Sequence, residues 1–443
     1  MIVESPTSPS VGELDGLSFI EEQFHAEPEW VRSERVAAWK EYQNAPMPSR
    51  KDENWRFSSL DRNLLNLSKP ASGCQAENHS RSASKLAALP SAAILHFCNE
   101  QVHAHGPLAD ELTAKGVIFA PLSEAILSHP DKVKPWLHQK TTELGSQKFE
   151  YLHRALSRSG AFIYIPKGVE VEGDLIIVHE VAGDHLAIFP HTLIVAEDNA
   201  SIKIVEGYFS KILKTGNLVV AGAHTHVGQG ARVSRSVIQG MDLGSTIFQL
   251  DSSFVERDAQ FRSTAVNLGG KKARYENQVN MLGSGSDARI FSITAASGDQ
   301  EYDQRTFQTH AAPNTFSEIL FKNALMDDAK TVFSGLIRVG DDAQQTDAYQ
   351  TNRNLLLDPT AIAHALPGLE INANDVKCSH GATTGKLDEE QLFYLLQRGI
   401  PMNAAKELMV YGFLDEILTK MDDEPLAEFA RSLMNYKFRH LKS

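Results

Sequence analysis

Cys378 and His380 put a thiol and an imidazole two residues apart in the run Val376-Lys377-Cys378-Ser379-His380. An extended strand alternates its side chains with period two, so both groups would point to one face. Both suit a borderline-soft metal such as ferrous iron. Two ligands are too few to hold a metal alone, so any site here must be shared. Imidazole, with an ordinary pKa of about 6.5, is mostly neutral at pH 7 and donates a lone pair without an activating base. A thiol of pKa about 8.5 is mostly protonated, and buried cysteines are often inert packing, so Cys378 is the weaker ligand.

Other constellations are less complete. His224-Thr225-His226 and His103-Ala104-His105 would each place two imidazoles on one face of a strand. A metal centre needs a third and usually a fourth ligand, and the sequence places neither. Gly381-Ala382-Thr383-Thr384-Gly385-Lys386-Leu387 resembles a phosphate-binding loop but lacks one residue between the glycines. Leu387 also stands where a magnesium-binding Ser or Thr is required, so the chain is not expected to bind ATP. A metal-dependent or carbohydrate-active enzyme on a β-helix or cupin-like scaffold is the alternative reading. It would use His224 and His226, or an acid pair such as Asp251 with Glu256.

The elements that would carry these residues fall into three regions. Residues 1–155 read as mainly helical with loops: charged and apolar residues mix at helical spacing from Glu21 to Tyr42, and again from Leu122 to Leu137 around His129-Pro130. Pro70 to Ser84 is rich in Ser, Ala, Asn and Gly and reads as a connector. Residues 156–385 change to short β-branched runs separated by Gly, Asp and Asn turns. A turn residue followed by Ala recurs at Asn199-Ala200, Gly230-Ala231, Asp258-Ala259 and Asp287-Ala288, with Asp328-Ala329 and Asp342-Ala343 as irregular continuations. An interval of roughly 30 residues marks a stacked-coil repeat, in which each coil buries its apolar face only against its neighbours. Residues 386–443 are helical again: Asp388 starts a helix, Gly399 ends it, and Ala404, Ala405, Leu408, Phe413, Leu414, Ile417 and Leu418 form an apolar stripe. The expected fold is mainly β with α-helical ends, a right-handed parallel β-helix core flanked by N-terminal and C-terminal helical regions.

Composition narrows the function. With 43 Lys and Arg against 56 Asp and Glu, the formal net charge of −13 repels phosphate backbones and argues against nucleic acid. No apolar run approaches the roughly 20 residues of a membrane helix. The first residues have neither a basic nor an apolar signal region. Three cysteines, Cys74, Cys98 and Cys378, are too few for a disulfide framework and fit a reducing compartment. A cytoplasmic location is expected.

Glu53-Asn54-Trp55-Arg56-Phe57-Ser58-Ser59-Leu60, Ile165-Pro166-Lys167-Gly168-Val169-Glu170-Val171 and Cys378-Ser379-His380-Gly381-Ala382-Thr383 through Gly399 carry a resemblance, in this order along the chain, to the SufB/SufD family of iron–sulfur cluster assembly proteins. Two departures point to the SufD-type companion subunit: Gly381 follows the histidine where the SufB type has Glu, and Asn352 stands where the SufB type has a functional Cys. The resemblance implies a non-enzymatic subunit without a permanent cofactor. It implies a SufB-like paralogue paired through the β-helix edge, or a homodimer when alone, and a SufC-like ATPase docked on the C-terminal helices. His380 and Cys378 would meet transient iron or a nascent cluster at the partner interface, with Asn352 beside it.

Overall fold

The computed structural model describes residues 9–74, 80–137, 144–210 and 216–438. Two sheets, of eleven and ten strands, run the length of a solenoid. From Ser201 onward consecutive strands alternate between the sheets and pair in parallel with the coils before and after. Paired residues lie between 26 and 32 positions apart, as in Thr246↔Lys272 and Lys330↔Ile362. This spacing is the repeat the sequence carries. A parallel ladder pairs like with like, so one coil's apolar inner position stacks on the next: Ile202, Val233, Phe261 and Ala288 form one buried row. Each large side chain so buried contributes about 1.5–3 kcal/mol.

The turn-Ala repeat is real for its first three members. Asn199, Gly230 and Asp258 occupy the left-handed region at φ 57°, 67° and 56°. Each donates its N–H to the corner of the following coil, at Gln229, Arg257 and Ser284. The following Ala200, Ala231 and Ala259 are buried, where a larger side chain would strike the stacked corner. The fourth member is out of register: Asp287 pairs with Gln260, and the corner is Gly285-Ser286, with Gly285 at φ 78°. Asn314 and Gln345 continue the stack. Asp328-Ala329 belongs to the opposite corner, where Asp327 takes the left-handed conformation.

The first 155 residues are not only helical. Helices Gly16–Gln23 and Glu29–Asn44 are separated at Pro28, and Leu122–Ser128 and Pro130–Val133 at His129. Strand Ala93–Cys98 joins the ten-stranded sheet beside Glu170–Val181, then reverses through Asn99 and Glu100, both at positive φ, into antiparallel Gln101–Gly106. Ile118–Pro121 pairs antiparallel with Ala161–Ile165 in the other sheet. Both sheets thus turn antiparallel at this end. Of the expected connector, residues 75–79 lie outside the described residues; Ser80 caps the helix Arg81–Ala87. Cys74 and Cys98 form a disulfide, a pair their 24-residue separation did not suggest and one that removes the cysteine argument for a reducing compartment.

Helices cover both outer faces. Trp39, Phe149 and Leu152 pack on Val220, Phe248 and Leu250 of one sheet. On the other, Met402–Leu418 and Glu424–Phe438 bury Leu414, Ile417, Phe429 and Met434 against Val205, Ile238 and Ile293. Lys322, Arg262 and Lys203 fasten them by donating to the carbonyls of Phe413, Lys420 and Asp422 at 2.7, 3.3 and 2.9 Å.

Candidate functional site at the terminal rung

The last rung consists of strands Ile362–Ile371 and Val376–Lys386, which among the described residues have a strand neighbour on one side only. In the preceding strand, Thr346–Leu356, burial alternates: Ala348, Gln350 and Asn352 are buried and face inward, while Tyr349 and Arg353 are exposed. The register pairs Ala348 with Cys378, Gln350 with His380 and Asn352 with Ala382. Cys378 and His380 therefore share one face, as their spacing predicts, and that face continues the inward rows of the solenoid. Cys378 packs against Ile337, Val339 and Ala348, whereas His380 is exposed on the open side.

Burial, followed by the nearby Asp347 carboxylate, pushes the Cys378 thiol up. At neutral pH it is a protonated, poor nucleophile, which fits its weaker standing as a ligand. Asn352 is fully buried. Its Oδ1 accepts from Asn354 Nδ2 at 2.7 Å, and its Nδ2 has no hydrogen-bond partner among the described residues. Asn354 continues a row of amides, receiving Asn323 Nδ2 at 2.8 Å and donating to Thr384 Oγ1 at 3.3 Å. Gln350, one residue along the inner row from Asn352, donates to Gly335 O at 3.1 Å. The sequence reading missed Gln350 and Asp347. Stepping 30 residues back from His380 and Lys377, the interval of the repeat, would have found both.

The residues of the alternative reading do not converge on one site. His224 and His226 do share a face, but it is the outer one, roofed by the N-terminal helices. His226 lies 4.1 Å from the Trp136 ring and stacks on Phe254 at 4.8 Å. Burial lowers the His224 and His226 pKa values to about 3 and about 4. Asp251 faces inward, bound to Arg235 at 2.7 Å, while Glu256 lines an open cleft of about 630 Å³ with His226 and Tyr164. His103 and His105 lie on the exposed edge strand Gln101–Gly106. Among the described residues no group of three or more His, Cys, Asp and Glu is placed to hold a metal ion. The would-be phosphate loop is a straight strand, Val376–Lys386.

At the C-terminal end, Asp388 caps the helix Glu389–Gln397 by accepting from Glu390 N and Gln391 N at 2.9 and 3.1 Å, and Gly399 follows at φ 79°. The apolar stripe divides. Leu414, Ile417 and Leu418 are buried on the solenoid and Ala405 is buried, while Leu408 of the stripe is exposed, as are Phe393 and Tyr394 of the preceding helix. No described helix is long and apolar enough to cross a membrane.

Residues 179–413 match the SufBD core domain of the SUF system for FeS cluster assembly, and residues 20–177 match the SufBD protein N-terminal region. The chain is 28% identical to the iron-sulfur cluster assembly protein SufD of Bacillus subtilis, over 94% of this chain and 95% of that protein. It is also 28% identical to an iron-sulfur cluster assembly SufBD family protein of Staphylococcus haemolyticus, over 91% and 89%. A further SufBD family protein, from Staphylococcus epidermidis, is 27% identical over 91% and 89%.

Proposed function

Because the chain belongs to the SufB/SufD family of iron–sulfur cluster assembly proteins and is most like SufD, we propose that it is a non-catalytic, cytoplasmic subunit of an assembly complex. In this reading its terminal rung pairs with the matching rung of a SufB-like paralogue. The observation that carries it is the geometry of that rung. His380 and Cys378 continue the inward rows at an edge whose backbone groups have pairing partners on one side. An open strand edge is a template for another chain, and pairing would satisfy the free donors and acceptors.

Two ligands on one strand cannot enclose iron. Thiolates from the partner would complete the coordination, and the iron or nascent cluster is cargo that leaves. His380, exposed and uncommitted to the core, would serve as this chain's ligand. Asn352, opposite Ala382 and one step along the inner row from His380, would close the inner face there without supplying a thiolate. The exposed Phe393, Tyr394 and Leu408 offer an apolar face on the C-terminal helices for a SufC-like ATPase, whose movements would reach the coils next to the rung through the carbonyl anchor at Lys322.

The test is co-expression with SufB-like and SufC-like partners, followed by iron and sulfide analysis of the co-purified complex. H380A should leave the complex assembled and lower its iron and sulfide content. Unchanged cluster content would remove His380 from the reaction, and a chain that purifies alone with tightly held stoichiometric metal would overturn the reading.

A further inference from the structure

The motif Glu53-Asn54-Trp55-Arg56-Phe57-Ser58-Ser59-Leu60 has no part in the chemistry above, yet it makes an extended set of contacts with the solenoid. It lies across the outer face of the eleven-stranded sheet and touches consecutive rungs in turn. Trp55 sits 6.3 Å from the Phe248 ring in strand Thr246–Val255. Arg274, in Lys272–Met281, lies 4.0 Å over Trp55 and donates to Asn54 O at 3.0 Å, while Lys272 Nζ donates to Ser59 Oγ at 2.7 Å. In Glu301–His310, Glu301 accepts from Ser59 N and Oγ at 2.7 and 3.0 Å, and Asp303 accepts from Ser58. Lys330, in Lys330–Val339, donates to Phe57 O. Phe57 finally stacks on His364 of Ile362–Ile371, with ring centroids 4.7 Å apart.

The backbone around the motif is built for this approach. Trp55 Nε1 donates to Gly145 O at 2.7 Å, and a Cβ at Gly145 would lie 2.7 Å from Asn54 Cβ and 3.2 Å from Trp55 Nε1. Gly145 also has φ 116°, so no other residue fits there without strain.

A stacked-coil protein is stabilised mainly through nearest-neighbour interfaces, and a terminal coil has one neighbour instead of two, so it opens first. We propose that Glu53–Leu60 is a lateral splint. It ties the terminal rung to rungs far down the solenoid and keeps the partner-facing edge ordered before a partner arrives. Phe57 and His364 are its last joint, and both act as positioning residues. The order of the rung is a property of this chain alone, while its use in docking rests on the function proposed above.

Hydrogen–deuterium exchange on the full chain tests it. An aromatic stack of this kind changes local opening by about two- to tenfold. F57A should speed amide exchange in Ile362–Ile371 and Val376–Lys386 by that factor and leave Leu218–Val227 at the wild-type rate. H364A, on a partly exposed strand and safe for folding should F57A prove insoluble, should give the same pattern, and H364F should restore wild-type exchange. Terminal-rung exchange unchanged in both alanine variants, or loosening spread evenly over all rungs, would overturn the splint. A loosened rung that still captures a SufB-like paralogue at wild-type yield would overturn only its docking role. Unchanged exchange would leave the docking reading standing.

Discussion

Replacing His224 by Phe isolates one buried imidazole and gives its effect a sign and a size. His224 is fully buried, and neither ring nitrogen has a hydrogen-bond partner among the described residues. Burial, with the neighbouring His226 and His153 adding to it, lowers its pKa to about 3. The unfolded chain binds a proton there with a pKa of about 6.5. A depressed folded pKa means the stability is fully present above pH 6.5 and is lost as pH falls toward 3. Between pH 7.5 and pH 5.0 the unfolded state gains about 2 kcal/mol from protonating this side chain while the folded state gains almost nothing. Phe has nearly the same shape and no proton to bind, so the variant should keep that 2 kcal/mol. At pH 7.5 it should be neutral or more stable, because burying unpartnered nitrogens costs about 1–3 kcal/mol. His310, lowered by burial, and Asp174, raised by burial and by Asp423, titrate alike in both proteins and cancel in the difference, while His153 and His226, lowered to about 4, stay mostly neutral in the fold down to pH 5.0. Guanidinium unfolding at the two pH values, followed by the fluorescence of Trp136 on His226, provides the measurement. If wild type and H224F lose the same stability between pH 7.5 and 5.0, His224 is not the dry, neutral imidazole described.

Arg235 donates to Glu206 at 2.6 Å and to Asp251 at 2.7 Å inside the solenoid, so R235M should cost about 3–5 kcal/mol by stranding buried carboxylates. E206Q added to it should recover part of that loss in the same unfolding assay. Cys378 should react with iodoacetamide at pH 7.5 more slowly than free cysteine, and D347N should speed it, because burial and then Asp347 raise its pKa. Mass spectrometry of the labelled peptide reads the rate, and labelling as fast as free cysteine would contradict the placement. L414A should weaken the C-terminal helices' hold on the sheet by about 2–5 kcal/mol, seen as faster proteolysis between residues 387 and 402.

The solenoid was legible in the sequence because a parallel ladder repeats its requirements. Each corner needs a left-handed residue followed by a small one, and Asn199-Ala200, Gly230-Ala231 and Asp258-Ala259 meet that need at a steady interval. It failed at Asp287-Ala288, where Gly285-Ser286 satisfies the same geometry with different letters. The pairing of Cys378 with His380 on one face followed from period two alone. Gln350 and Asp347 did not, because they reach this strand through coil stacking and not through chain neighbours. The strands Ala93–Cys98 and Gln101–Gly106 were hidden for a similar reason. They are short, flanked by helical stretches, and become strands only because Glu170–Val181 offers an edge. His224 and His226 mimic a ligand pair because sequence cannot tell an outer face roofed by helices from an open one.

The contrast between the two ends of the solenoid limits how such molecules can grow. One end finishes in reversed strands, Gln101–Gly106 and Ile118–Pro121, and the other in a rung that still runs with the coil. Front and back do not match, so the end-to-end repetition that coils make within one chain has no counterpart between copies. If the open rung pairs with its like as proposed, that junction would consume both open ends, and assembly would stop at a closed pair.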